Sequence, residues 1–140
     1  MTTEFFISMV PPTVTHQEKK ITTVNGRAHF YEGPELKDAR QKLTAYLSGH
    51  APATPYTSAV KLVTKWLFPK GSHQNGEWRT SKPDTDNLQK LLKDVMTSLH
   101  YWKDDALVCS ELCEKFWADL PGLYIYIEEL PQHDDRTRKV

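Results

Sequence analysis

A chain of 140 residues and 16.2 kDa fits one domain, because two separate cores of half this length would each sit near the lower limit for independent folding. Hydrophobic residues at 39% and charged residues at 26% exclude a disordered chain, and the absence of any long apolar run excludes a membrane-spanning helix. The 18 basic and 18 acidic side chains cancel, so net charge gives no argument for nucleic acid.

Charge placement is uneven. Between residues 58 and 82, Lys61, Lys65, Lys70, Arg79 and Lys82 stand against a single acid, Glu77, while residues 101–135 are mostly acidic around Lys103 and Lys115. A neutral total of this kind can hide a basic surface beside an acidic pocket, or two ordinary solvated faces. The N-terminal MTTEFFISMVPP has no basic start, no long apolar stretch and no small-residue cleavage site, so no secretory signal is read. The expectation is a cytoplasmic protein whose Cys109 and Cys113 are reduced thiols.

Taken in order, residues 4–10 read as a short aromatic strand stopped by Pro11-Pro12. Lys20–Val24 and Arg27–Tyr31 flank Asn25-Gly26, the dipeptide that most readily takes the positive φ angles of a tight hairpin. A helix is expected over 34–48: Pro34 suits its first turn, Leu36, Ala39, Leu43 and Leu47 share one face, and Gly49 offers a stop. Residues 57–68 read as a longer strand ended by Pro69, and 70–83 as a basic loop. In the next segment Leu88, Leu91, Leu92, Val95 and Leu99 follow amphipathic helical spacing, and Asp84 or Asp86 can cap its start. Two strand-like runs follow, Leu107–Trp117 and Leu123–Leu130, with Pro121-Gly122 between them suggesting a hairpin. The sum is an α+β fold: one small domain over 1–131, a mixed β-sheet with two main helices, and a polar tail over 132–140.

Asp84 and Asp86 flank Thr85 where the second helix begins, and Asp104-Asp105 follow about one helix length later. A helix of about 14 residues is roughly 20 Å long, so Asp105 cannot meet Asp86 along it. Contact needs a shorter helix, a bend or a second subunit. Converging carboxylates can hold hard cations such as Mg²⁺ against a phosphate, and such ions activate water and stabilise a leaving oxygen. Lys90, one turn after Asp86 on the same face, can hold Asp86 or neutralise a phosphate oxygen. The same residues also read as helix caps, a surface i,i+4 pair and a turn.

The run Lys82-Pro83-Asp84-Thr85-Asp86-Asn87-Leu88-Gln89-Lys90, then Asp94, then Trp102-Lys103-Asp104-Asp105-Ala106-Leu107-Val108, resembles the RusA family of Holliday junction resolvases. The family pattern is D-x-D-N-x-x-K, a helix, and W-x-D-D-x-x-V at this separation. The resemblance is dense over 82–108 and rests on element order elsewhere. It implies a RusA-like α+β homodimer that nicks four-way DNA junctions with Mg²⁺, for which Mn²⁺ can substitute. The family's catalytic, metal-holding carboxylates fall on Asp84, Asp86 and Asp105, and its lysine on Lys90.

Lys70, Arg79 and Lys82 of the basic loop are then the expected DNA contacts, with Trp78 as a stacking ring and Lys61 and Lys65 lining the same surface. Competing readings are plain packing for Trp78 and solvated edge lysines for Lys61 and Lys65. At the level of function the alternatives are a nuclease for other branched or phage DNA, an inactive DNA-binding module, and a structural protein. Cys109 and Cys113 lack two further zinc ligands at suitable spacing and read as inert thiols.

Overall fold

The computed structural model describes residues 1–14 and 19–136, without the side chains of 19–22 and 29–31. The elements are β1 (Thr2–Ser8), β2 (Lys19–Val24), β3 (Arg27–Glu32), α1 (Pro34–Leu47), β4 (Val60–Pro69), α2 (Thr85–Ser98), β5 (Val108–Ala118) and β6 (Gly122–Glu129). Of the expected polar tail, 137–140 lie outside the described residues. The expected hairpin is present as β2 and β3, an antiparallel pair turned by Asn25 at φ 53° and Gly26 at φ 77°.

The main sheet has the order β1-β6-β4-β5. β6 pairs antiparallel with both β1 and β4, and β5 runs parallel to β4, so the sheet is mixed. The parallel pair requires a crossover, and α2 supplies it. Along β4 the side chains alternate by the period of two of a strand, with Leu62, Thr64, Trp66 and Phe68 buried and Lys61 and Lys65 on the other face. The buried face continues through Leu123, Ile125 and Ile127 of β6 and Ile7 of β1. Leu36, Ala39, Leu43 and Leu47 of α1 and Leu88, Leu91, Leu92, Val95 and Met96 of α2 complete the core. Both helices therefore cover the same face of the sheet, and among the described residues no helix covers the other.

The Pro121-Gly122 hairpin is not formed. β4 lies between β5 and β6, and the three residues 119–121 cross the end of β4 from Ala118 to Gly122. Two strand spacings are about 10 Å, which four Cα steps span. β4 makes room by leaving the sheet after Pro69, where the Lys70 N–H donates to Ala118 O at 3.1 Å. Gly122 is required at the start of β6, because a Cβ there would meet the Phe6 ring at 2.1 Å and Ile7 O at 2.6 Å.

α2 ends in a Schellman motif. The His100 N–H donates to Thr97 O at 3.1 Å and the Tyr101 N–H to Met96 O at 3.0 Å, with His100 at φ 62° in the position glycine usually takes. The following residues are buried with their polar atoms satisfied. Tyr101 Oη donates to Leu47 O at 2.5 Å, and Trp102 Nε1 to Thr97 Oγ1 at 2.7 Å. The Tyr56 N–H donates to Tyr101 O at 2.9 Å and the Lys103 N–H to Tyr56 O at 3.0 Å. The chain carrying Asp104-Asp105 is thereby held on both sides.

Candidate active site

A cavity of about 560 Å³ lies between α2 and the edge strand β5. Its walls are Thr85, Asp86, Gln89, Lys90 and Lys93 from α2, Asp105 from a short 3₁₀ turn over Asp105–Leu107, and Glu111, Leu112 and Cys113 from β5. Four of the five α2 contributors recur at i, i+3, i+4 and i+7 from Asp86, and Thr85 lies one turn before Gln89, so all share one helix flank. From Asp86 to Lys93 that flank extends about 10 Å. Asp105 reaches the same cavity although α2 keeps its full 14 residues. The chain leaves α2 through the Schellman turn, and the 3₁₀ turn then delivers Asp105 beside α2 at the start of β5. Asp104 closes this turn by accepting the Ala106 N–H at 2.9 Å. No second subunit is needed to bring Asp86 and Asp105 to one space.

Asp84 stands apart. It occupies the N-cap position of α2 at φ −75° and ψ 148°, its side chain makes no capping bond, and it is not part of the cavity wall. Among the described residues no three His, Cys, Asp or Glu side chains are grouped closely enough to form a metal ligand set. The structure thus brings together two of the three expected carboxylates, together with Lys90.

Charge pairing sets these groups off from their neighbours. Lys93 Nζ and Glu111 Oε1 are 2.9 Å apart and neutralise each other across the cavity. Among the described residues no hydrogen bond or ion pair engages the carboxylates of Asp86 and Asp105 or the ammonium of Lys90. Two unpaired carboxylates on one cavity wall have the oxygen chemistry that a hard, partly hydrated divalent cation takes. Cys113 is also on this wall, its Sγ 3.9 Å from Thr85 O. Burial pushes its thiol pKa up, which keeps it protonated and a poor nucleophile near neutrality.

The loop 70–83 is pinned to β5. Arg79 is sandwiched between Phe68 and Trp117, its guanidinium carbon 4.3 and 4.5 Å from the two ring centroids, and Nη2 donates to Lys82 O at 2.5 Å. Burial pulls the pKa of this guanidinium down from its usual value. His73 stacks on Trp117 at 4.2 Å and also engages Glu77. Trp78 stacks on Phe116 at 4.5 Å while remaining 58% exposed. Lys70 pairs with Asp119 at 3.7 Å, and Lys82 is exposed. Lys61 and Lys65 lie on the sheet face opposite the cavity, Lys65 with its ammonium 5.6 Å from the Tyr124 ring centroid.

The family described as Endodeoxyribonuclease RusA has a model that matches residues 10–128. The chain belongs to the RusA family. A crossover junction endodeoxyribonuclease rusA of Lactococcus phage r1t is 34% identical over 108 residues, covering 75% of this chain and 79% of the phage protein. An uncharacterized protein of Bacillus subtilis (strain 168), YqaN, is 30% identical over 118 residues, covering 76% of this chain and 82% of its own. This RusA-family domain carries its cavity on α2 and β5, inside the matched region. Among the described residues no helix is long and apolar enough to cross a membrane.

Gln89, Lys93, Glu111 and Cys113 are cavity residues that sequence reasoning missed. Gln89 and Lys93 carried a usable signal, being three and seven positions after Asp86 on the same helix flank. Glu111 and Cys113 carried none, because their place depends on the parallel pairing of β5 with β4.

Proposed function

We propose that this RusA-family chain is a divalent-metal-dependent endonuclease that resolves four-way DNA junctions in recombination and repair. The supporting observation is the cavity wall on which Asp86, Asp105 and Lys90 stand together without partners among the described residues. Magnesium, or manganese in its place, held by Asp86 and Asp105 with Asp84 as the further carboxylate of the family pattern, would supply Lewis-acid stabilisation of the phosphate and a more acidic water.

The chain's own groups do the remaining work. Lys90 offers a positive charge to a phosphate oxygen one helical turn from Asp86. Lys82, three residues before the cavity residue Thr85, and Lys70 at the start of the same loop give electrostatic affinity, and the open face of Trp78 offers a base a stacking partner. Arg79 acts through the loop it clamps. Lys61 and Lys65 take part where a junction arm passes over the uncovered sheet face. A four-way junction is close to two-fold symmetric, and a C₂ homodimer offers two matched sites for paired nicks.

The test is a labelled four-way junction incubated with protein, with and without Mg²⁺. Metal-dependent paired nicks that a ligase can reseal are expected. Asp86→Asn is expected to abolish cutting and to keep or improve junction binding, since one repelling charge is gone. Full cutting by Asp86→Asn, or no nicking by the native chain with Mg²⁺, overturns the reading. Sedimentation equilibrium checks the dimer.

A further inference from the structure

Gln89 is 4% exposed, yet it lies in the wall of the cavity, three residues after Asp86 and next to Lys90. Its Oε1 accepts from Thr64 Oγ1 at 2.9 Å and from Trp66 Nε1 at 3.3 Å. An indole N–H can only donate, so the orientation of the amide is decided: the oxygen faces β4 and the nitrogen takes the other branch. That nitrogen, Nε2, is buried and has no hydrogen-bond partner among the described residues. A buried amide donor held in one orientation with no acceptor is rare in a folded protein, and such an atom calls for an acceptor from outside the chain, an ordered water or a ligand.

The surroundings define that acceptor. Lys93 is neutralised by Glu111, whereas Lys90 has no partner among the described residues, so the α2 flank presents an unneutralised cation beside a neutral, fixed donor. An oxyanion matches both. We propose that the Gln89 amide is a substrate-contacting group that donates to a non-bridging oxygen of the DNA phosphate entering the cavity, held ready by Thr64 and Trp66. The neutral amide adds directional recognition without an ion pair to Asp86. This rests on the nuclease reading for the identity of the phosphate, but the donor itself can be tested without catalysis.

The experiment follows the Gln89 side-chain amide pair by ¹⁵N NMR in the native chain, assigned through its proximity to the Trp66 indole proton. Inorganic phosphate, at ionic strength matched with sodium chloride, and then a four-way junction without divalent ions, are titrated in. A saturable downfield shift with both is expected. In parallel, Gln89→Glu keeps an oxygen for Thr64 and Trp66 and replaces the donor. It is expected to melt within a few degrees of the native chain and to cut at least tenfold more slowly. An amide pair that ignores both titrants, or a Gln89→Glu chain that cuts at the native rate, overturns the inference. If the native chain cuts junctions while the pair stays still, the inference falls and the nuclease reading stands. If the pair follows phosphate but the native chain cuts nothing, the donor stands and the nuclease reading falls.

Discussion

Lys115 Nζ lies 2.6 Å from the Pro83 carbonyl oxygen, and at the same distance from that of Ser81, so the middle of β5 holds the residues from which α2 starts. The ammonium is the link between the parallel strand pair and the helix that carries Asp86. Lys115→Met removes both bonds and leaves the carbonyls to water. The expected loss is about 1 kcal/mol of stability, as for charge-assisted bonds with partial exposure. Junction cutting falls by more than thermal unfolding accounts for, because the start of α2 loosens. Melting curves and cleavage kinetics on one preparation separate the two effects.

Asp84 and Asp86 are separable by substitution. Asp84 sits at the N-cap without a capping bond, and aspartate and asparagine serve about equally there. Asp84→Asn is expected to leave the melting temperature within about 1–2 °C of native. Any loss of cutting by this variant then reports on chemistry and not on the helix. Asp86→Asn removes a carboxylate that faces the cavity and is expected to lower cutting by at least a hundredfold.

His100 takes a left-handed conformation at φ 62° in the position that closes α2. A side chain there costs about 1 kcal/mol relative to glycine. His100→Gly is expected to stabilise the fold by about 0.5–1 kcal/mol, less than the full strain because glycine also loosens the unfolded chain. A rise in denaturant midpoint at constant slope checks it.

Arg79 is held by two aromatic faces and one carbonyl. A lysine cannot stack its planar group in the same way. Arg79→Lys is expected to lose about 1 kcal/mol and to change the fluorescence of Trp117. Its junction affinity falls through disorder of the 70–83 loop, so the variant shows a weaker dependence on Lys82→Ala than the native chain does.

The two cysteines differ in exposure. Cys109 is exposed, whereas burial raises the pKa of Cys113 above the ordinary 9.0. Iodoacetamide near pH 8 is expected to modify Cys109 well before Cys113, as read by peptide mass. The folded state binds the Cys113 proton more tightly than the unfolded state does, so this group's contribution to stability is present below about pH 9 and is lost as pH rises past it. Cys113→Ser is expected to flatten the stability decline on that alkaline side.

Local signals in this chain were readable and pairings over distance were not. The apolar spacing of Leu88, Leu91, Leu92 and Val95 marks α2, and Asn25-Gly26 marks the one hairpin turn among the described residues. Pro121-Gly122 carries an equally strong turn signal and yet joins two strands that do not touch, because β4 stops at Pro69 and leaves space above its end. Asp86, Lys90 and Asp105 were recognisable by motif. Gln89 is hidden in the same motif, since its role depends on burial against Thr64 and Trp66, more than twenty positions earlier. Arg79 read as a DNA contact of the basic loop, and its clamp between Phe68 and Trp117 was not legible because Trp117 is distant in the chain.

Lys115 fastens the chain two residues before α2 begins, at the Pro83 carbonyl, and the turn through His100 fastens the helix end, so the register of α2 is set from both sides. Each residue of a helix advances the flank by about 100°. A single insertion or deletion inside α2 would swing Lys90 and Lys93 away from Asp86, or turn Asp86 itself out of the cavity. The helix is thus a fixed gauge between the two acidic segments: substitutions along its solvent side are tolerated, but a change in its length is not.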